Sequence, residues 1–281
     1  MKYYEIAITF SDLNVWKEIF VSLLADLGCE SFADGETDSV LLAYIAENNY
    51  HAEKIKFFFE TYSVKTDYKY KIQEIEQQNW NAVWEANYQP VMINDRCYIR
   101  APFHAPKETE YEIVIEPKMS FGTAHHETTS LMIEFLLEEE IENKSVLDMG
   151  AGTGILAILS YLRGAKPITA IDNDEWAYLN NIENNARNNA ETIRVKLGDA
   201  SLLDEHEKYD VIIANINRNI LLSDLPAYVN VLNKSGTIFL SGFYLAGDLE
   251  IISQKCSELR LNLVKVKDKN RWCAAKYSKY D

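Results

Sequence analysis

The sequence lacks the features that mark membrane-spanning, disulfide-stabilised or zinc-binding proteins. Its 281 residues contain four cysteines, none in a CxxC pair or a zinc-ligand spacing. We expect scattered thiols in a reducing compartment: Cys29, Cys97, Cys256 and Cys273. No run approaches the roughly 18–20 apolar residues of a membrane span, and the first residues do not resemble a signal peptide. A soluble, cytoplasmic protein is therefore expected.

Positive charge is also scarce. The chain has 28 Lys and Arg residues against 43 Asp and Glu residues, which gives a net charge of −15. Such a surface repels phosphate backbones, so we expect no direct nucleic-acid binding. A basic protein partner or a cationic ligand suits this charge, although it also fits a protein that is simply soluble. The length predicts roughly two domains.

Residues 1–70 alternate between strand and helix patterns. Apolar residues at period two over Tyr4–Phe10 predict a strand, and the helical spacing from Trp16 to Leu27 predicts a helix that ends at Gly28. Strand candidates at 30–33 and 40–45, a helix around Ile55–Tyr62 and a last strand near Val64–Tyr70 complete the order. The order β-α-β-β-α-β predicts a small ferredoxin-like α+β domain. Residues 71–84 are predicted to be a linker. Within it, residues 71–80 are expected to be either a connecting helix or an unstructured linker.

Residues 85–281 are predicted to form one larger α/β domain. After an irregular, proline-punctuated lead-in, apolar strands alternate with amphipathic helices, which is typical of a parallel sheet covered on both faces. Strands are expected at 146–149, 168–172, 194–197, 211–215 and 237–240, and helices at 127–140, 155–163, 174–190, 220–232 and 245–259. A terminal strand–turn–strand over residues 261–277 is expected to add an antiparallel edge.

The most informative motif is VLDMGAGTGILAI at Val146–Ile158, which predicts a strand, a glycine turn and a helix. Glycines in such a turn let a ligand approach bare backbone N–H groups. The spacing of Gly150, Gly152 and Gly154 is GxGxG, whereas dinucleotide-binding folds use GxGxxG. Asp148 at the strand end would oppose a pyrophosphate but suits a cationic ligand, so the motif favours S-adenosylmethionine over NAD. An ordinary βα turn without a ligand is the alternative.

Polar residues end the next three strands. Asp172 lies 22 residues after Gly150, where an acidic side chain can bind ribose hydroxyls, although this spacing also fits NAD. Asp199 could accept a hydrogen bond from an adenine amino group or could be a turn aspartate. Asn215 is expected to face the transferring methyl group and to hold an incoming amine through its amide oxygen. Asparagine is also a common strand-ending residue, so this role stays a prediction.

Two further segments carry a resemblance to a known family. FGTAHHETTS at Phe121–Ser130 is similar to the FGTGxHxTT signature of the PrmA family, and QNWNAVWEANYQP at Gln78–Pro90 resembles its tryptophan-rich entry to the catalytic domain. The glycine loop with Asp172, Asp199 and Asn215 resembles class I S-adenosylmethionine-dependent methyltransferases in general. The PrmA family methylates the eleventh protein of the large ribosomal subunit, and the resemblance covers essentially the whole chain.

The resemblance implies cofactor contacts from Thr129, Gly150, Asp172 and Asn215. With the loop residues Asp148 and Gly152 and the strand-end residue Asp199, these form the predicted cofactor set. Ala124 departs from the family by replacing a glycine, and alanine disfavours a positive φ. His126 matches an invariant family position and is expected to shape the cofactor loop, and Trp272 aligns with a tryptophan near the acceptor pocket.

Together these features predict a Rossmann-like, seven-stranded methyltransferase domain behind a ferredoxin-like domain. The implied activity is N-methylation of lysine or N-terminal amines of ribosomal protein eleven, with Asn215 as the catalytic residue, no metal and a monomeric enzyme. The first domain would recognise the acceptor, or would serve dimerisation or structure alone. Other acceptors such as RNA or a small molecule, a nicotinamide-dependent dehydrogenase, and a non-catalytic cofactor-binding module remain open.

Overall fold

The computed structural model describes residues 2–11, 16–35, 37, 39–63, 66–75, 88–118, 122 and 124–280. The chain divides into two compact units, Met1–Tyr88 and Gln89–Asp281. In the described part, no helix is both long enough and apolar enough to cross a membrane. The four cysteines are buried free thiols.

The first unit is a four-stranded antiparallel sheet with two helices. Its strands stand in the order β2-β3-β1-β4, and its elements follow the predicted order β-α-β-β-α-β. Along the chain they are β1 (Tyr3–Phe10), α1 (Trp16–Asp26), β2 (Cys29–Asp34), β3 (Val40–Ala46), α2 (Ala52–Tyr62) and β4 (Tyr68–Ile75).

One face of this sheet carries an aromatic core. Alternate residues of β1 point to opposite faces, so Ile6, Ile8 and Phe10 are buried while Thr9 is exposed. Phe20 of α1 is fully buried against them, and the rings of Phe10, Phe58, Phe59, Tyr62 and Tyr68 surround it with centroids 5.1–6.4 Å away. Aromatic packing therefore holds this unit together.

The predicted linker 71–84 is wrong for its first residues. Residues 71–75 continue β4, where Lys71 pairs with Ala7 and Ile75 pairs with Tyr3 of β1. Polar side chains on the outer face hid this strand, whose inner face is marked by the half-buried Ile72. The rest of the predicted linker falls among residues 76–87, outside the described residues. The units divide at Tyr88–Gln89, whereas the sequence predicts a first domain that ends at residue 70 and a second that begins at residue 85.

The lead-in to the second domain is a small sheet, not the irregular segment expected. Three strands, β5 (Val91–Ile93), β6 (Cys97–Arg100) and β7 (Tyr111–Val114), stand in the order β5-β6-β7. Each has three or four residues, too few to show a periodic pattern in the sequence.

The second unit is built on the seven-stranded sheet that the sequence predicts. Its order is β10-β9-β8-β11-β12-β14-β13, and β14 runs antiparallel to both of its neighbours, which confirms the predicted edge hairpin. The strands are β8 (Val146–Met149), β9 (Ile168–Asp172), β10 (Arg194–Leu197), β11 (Tyr209–Asn215), β12 (Leu232–Tyr244), β13 (Leu261–Lys269) and β14 (Trp272–Lys279).

Two hydrophobic clusters lie on this sheet, and helices pack into each. Residues of α3 and α4 join one cluster, and residues of α6 and α7 join the other. The helices are α3 (Glu127–Glu138), α4 (Ile155–Leu162), α5 (Glu175–Arg187), α6 (Arg218–Val231) and α7 (Asp248–Glu258). From β8 the chain continues to β9 and then β10 on one side of β8 in the sheet, whereas β11 pairs with β8 on its other side. The strand order therefore reverses between β8 and β11, and ligands of open α/β sheets bind at such a point.

Candidate active site

A cavity of about 450 Å³ opens at the carboxyl ends of the central strands. Its walls come from the ends of β8, β9 and β11, from the segment before α3, and from β12 and β14. The lining residues are His126, Thr128, Gly150, Gly152, Asp172, Asn173, Asp174, Ala177, Asn215, Ile216, Asn217, Ile220, Gly242 and Trp272. Four of the predicted site residues, Gly150, Gly152, Asp172 and Asn215, thus meet at one cavity.

The loop between β8 and α4 requires glycine at Gly150. This residue has a φ of 66°, and a Cβ there would lie 2.2 Å from Cγ2 of Ile216 across the cavity wall. A side chain would therefore both strain the backbone and collide with Ile216. The turn thereby exposes bare backbone to the cavity near the amino end of α4, where backbone N–H groups can bind a ligand.

Asp172 connects this loop with the end of β9. Its Oδ2 accepts a hydrogen bond from Gly152 N at 2.8 Å, and its Oδ1 accepts one from Asp174 N at 3.0 Å. Both oxygens are thereby oriented at the cavity wall, where an ionised carboxylate can accept further hydrogen bonds from a diol. The predicted ribose contact stays a prediction, and this geometry favours it.

Asp148 lies in β8, just before the glycine loop, and is not among the residues that line the cavity. It is 1% exposed, and its Oδ2 accepts a hydrogen bond from Ala157 N of α4 at 3.1 Å. Burial raises the pKa of this carboxyl group to about 7. The side chain is thus hydrogen-bonded to α4, and the contact with a cationic ligand expected from the sequence stays a prediction.

Asp199 follows β10, and its predicted hydrogen bond to an adenine amino group stays a prediction. It is exposed and lies outside the cavity lining, and it caps a short 3-10 turn by accepting a hydrogen bond from Ser201 N at 2.9 Å. Hydrogen bonds from Ser201 lower the pKa of this carboxyl group. The turn-aspartate alternative matches this geometry.

Asn215 is the last residue of β11, and its side chain forms a hydrogen bond to α3. Its Nδ2 donates a hydrogen bond to Thr129 Oγ1 at 3.3 Å, which fixes the orientation of the carboxamide. Its Oδ1 is buried and has no hydrogen-bond partner among the described residues. A buried acceptor of this kind requires a partner, so a ligand N–H or O–H group is expected there. Thr129 lies outside the lining and contacts Asn215, whereas the neighbouring Thr128 is one of the lining residues. The predicted cofactor contact of Thr129 stays a prediction.

Aromatic rings form another part of the wall. The His126 ring packs edge-on against Trp272 with centroids 4.8 Å apart, and Tyr244 packs on Trp272 at 4.2 Å. His126 Nδ1 lies 2.8 Å from Thr128 Oγ1 at the start of α3. The predicted positions of His126 in the loop and of Trp272 at the pocket agree with this arrangement.

Some residues line the cavity although the sequence patterns do not predict them, most clearly Ile216 and Gly242. A Cβ at Gly242 would lie 2.2 Å from the Ile216 carbonyl oxygen, so this glycine lets β12 approach the segment after Asn215. The dipeptide Ser241-Gly242 directly after a predicted apolar strand is the sequence feature that could have indicated Gly242. Among the described residues no three His, Cys, Asp or Glu side chains gather in a way that could hold a metal ion. The absence of a metal requirement stays a prediction.

Comparison with known proteins identifies the relatives of this chain. The family described as Ribosomal protein L11 methyltransferase (PrmA) matches residues 10–280. The chain belongs to the PrmA family. A relative from Phocaeicola vulgatus named Ribosomal protein L11 methyltransferase is 47% identical over 282 residues and covers 99% of each chain. One from Bacteroides fragilis with the same name is 45% identical with the same coverage.

A solved structure supports the PrmA fold. The crystal structure of ribosomal protein L11 methylase from Lactobacillus delbrueckii subsp. bulgaricus is 25% identical and has a TM-score of 0.63. The match covers 69% of this chain and 99% of that chain. The predicted Rossmann-like methyltransferase fold is confirmed for this PrmA-family member, and its cavity lies where such a fold binds ligands.

Proposed function

We propose that this chain is an S-adenosylmethionine-dependent N-methyltransferase of ribosomal protein L11, acting on lysine or N-terminal amines in the cytoplasm. The observation that carries the proposal is the unpartnered, buried Asn215 Oδ1 at a cavity that also presents the glycine loop and Asp172. The names of the full-length relatives supply the acceptor. S-adenosylmethionine supplies an electrophilic methyl group when bound.

The residues present fit this cofactor. Gly150 and Gly152 line the cavity without side chains, and the Asp172 carboxylate suits a ribose diol. The net charge of −15 favours a ligand that carries an ammonium and a sulfonium group. Asp148 accepts a hydrogen bond from Ala157 N in the first turn of α4, the helix that follows the loop. We infer that Gly150, Gly152, Asp172 and Asn215 hold the cofactor.

The acceptor amine must be neutral to act as a nucleophile. Lysine amines have a pKa of about 10.4 and α-amines one of about 8, so each must lose a proton before it reacts. Desolvation in the cavity disfavours the ammonium form, and Asn215 Oδ1 can accept one N–H of the amine and thereby aim its lone pair. We infer that the chain promotes methyl transfer mainly by orienting and desolvating the amine, and that the proton passes to water.

The first unit is proposed to recognise the acceptor, with dimerisation or a purely structural role as the competing interpretations. We expect a monomer. Removing residues 1–88 discriminates between the roles. Retained S-adenosylmethionine binding with lost methylation of L11 would support recognition by this unit. Unchanged L11 methylation would contradict it, and a change in oligomeric state on gel filtration would support dimerisation.

The proposed function is tested by methyl transfer. Unmethylated L11 is incubated with the full chain and labelled S-adenosylmethionine, and mass spectrometry locates the label. We expect label on amines of L11, and a loss of at least about tenfold in rate with Asn215→Ala when S-adenosylmethionine is saturating. Unchanged turnover of that variant would contradict the role of Asn215. Label on RNA from a lysate, with none on L11, would contradict the proposed acceptor.

A further inference from the structure

Helix α5 and its end bury five asparagine side chains. Asn180, Asn181, Asn184, Asn185 and Asn188 are each at most 8% exposed. Asparagine is mostly an exposed residue, and burying a carboxamide without partners is unfavourable. Such a cluster is expected where the carboxamides bind something that the fold must hold in place.

Two of these asparagines, Asn184 and Asn188, form a row that binds the backbone at the end of β7 and just after it. Asn188 accepts a hydrogen bond from Val114 N and donates one to Val114 O, both at 2.8 Å. Asn184 Oδ1 accepts one from Glu116 N at 2.9 Å. Residues four apart on a helix are about 6 Å apart, close to the roughly 6.6 Å between alternate residues of a strand. The row thus takes the place of a neighbouring strand.

Asn184 differs from Asn188 because it also reaches the glycine loop. Its Nδ2 donates a hydrogen bond to Thr153 O at 3.0 Å. Thr153 is fully buried, and its Oγ1 donates to Gly122 O at 2.6 Å. One carboxamide therefore joins α5, the segment after β7 and the glycine loop, and Thr153 extends the connection to the segment that precedes α3.

We propose that Asn184 is a positioning residue for cofactor binding. Its carboxamide holds the Thr153 carbonyl group and thereby keeps residues 150–154 in the conformation that receives the cofactor. The inference rests on the proposed use of S-adenosylmethionine. Asn184 lies behind the loop and outside the cavity lining, so its effect on binding passes through Thr153.

Asn188 is a matched control on the same helix face. The Asn184 side chain forms hydrogen bonds to Glu116 N, Thr153 O and Asn180 Oδ1. The Asn188 side chain forms the same number, to Val114 N, Val114 O and Asn184 O. Replacing either residue with alanine removes three hydrogen bonds from a buried position. Only Asn184→Ala releases the glycine loop.

The experiment compares Asn184→Ala and Asn188→Ala in the full chain by calorimetric titration with S-adenosylmethionine and by thermal unfolding. Both variants should lower Tm by similar amounts. We expect Asn184→Ala to weaken S-adenosylmethionine affinity at least about tenfold, and Asn188→Ala by less than about twofold. In turnover with L11, the KM for S-adenosylmethionine should rise in Asn184→Ala while the KM for L11 changes less than about twofold.

Equal losses of affinity in the two variants, or no loss in Asn184→Ala, would overturn the inference while leaving the proposed function intact. Failure of the wild-type chain to bind S-adenosylmethionine would overturn both. Should the alanine variants not fold, Asn184→Asp removes the Nδ2 donor to Thr153 O and keeps an acceptor for Glu116 N, and Asn188→Asp is its control. Asn184→Asp should weaken the affinity several-fold, whereas Asn188→Asp should not. Equal behaviour of these two variants would again overturn the inference.

Discussion

The first unit buries aromatic rings, whereas the second unit also buries polar side chains. Among the described residues, the buried polar and charged side chains all lie in the second unit, from Thr128 to Ser241. Several of them surround or support the cavity, as Asp148, Thr153 and Asn184 do. A core held by shape alone tolerates changes that keep its volume, whereas a buried polar network constrains each member. We therefore expect that changes in the first core alter stability without altering cofactor binding, and that polar changes in the second unit alter binding.

The largest effect is expected from Phe20→Ala in the first unit. The change removes a fully buried ring that contacts Phe10, Phe58 and Phe59, so the unit should lose about 3–5 kcal/mol of stability. Hydrogen exchange of the β1 amides in the full chain measures this loss, and Phe20→Leu should lose less. S-adenosylmethionine affinity should stay within about twofold. A tenfold weaker affinity would contradict the separation of the two units.

Asp172→Ala should have the next largest effect, this time on binding. It removes the carboxylate that orients Gly152 N and faces the cavity, so S-adenosylmethionine affinity should fall about 100-fold, or about 2.8 kcal/mol. Calorimetric titration measures the change. Asp204→Ala, at an exposed residue outside the cavity lining, is the control and should leave the affinity unchanged. Similar affinities for the two variants would place the cofactor elsewhere.

Asp148 should make the stability of the second unit depend on pH. Burial raises its pKa to about 7 in the folded chain, above the ordinary value of about 3.9. Its stabilising contribution is therefore complete below about pH 4 and is lost as the pH rises through about 7. Asp148→Asn cannot ionise, so wild-type stability relative to this variant should fall by about 2 kcal/mol between pH 5 and 8. Denaturant titrations at each pH measure the difference, and a constant difference would contradict the burial of an ionisable group here.

Ala124→Gly should have the smallest effect. Ala124 has a φ of 66°, where glycine is favoured, but its buried methyl group packs in the core. Relief of strain and loss of packing should nearly cancel, leaving stability within about 0.5 kcal/mol of the wild type. Ala157→Gly within α4 is the control and should lose about 1 kcal/mol, because the helix gains nothing from glycine. Equal losses measured by denaturant titration would show that the left-handed conformation of Ala124 is unstrained.

Much of this arrangement was predictable because the sequence patterns that encode it are local. The apolar runs of β8, β9 and β11, and the glycine turn between β8 and α4, specify a parallel sheet with a ligand site at its carboxyl end. The positions of Asp172 and Asn215 at strand ends follow from the same pattern. The order of elements in the first unit follows from the alternation in β1 and the helical spacing in α1.

The parts that were not predictable depend on contacts between distant segments. Spacing places Asp148 at a strand end, but the direction of its side chain is set by the Ala157 N–H group nine residues later. The short strand β7 is recognisable only through its partners, β6 on one side and the asparagine row of α5 on the other. The polar residues of β4 conceal a strand until β1 is seen beside it.

The most direct test of which part of the molecule binds the cofactor is hydrogen–deuterium exchange of the full chain with and without S-adenosylmethionine. We expect the cofactor to slow exchange at residues 150–157, 172–177 and 215–220, around the cavity and its glycine loop. We expect no change in β1 to β4 of the first unit. Protection centred on the first unit, or no protection at the glycine loop under saturating cofactor, would contradict it.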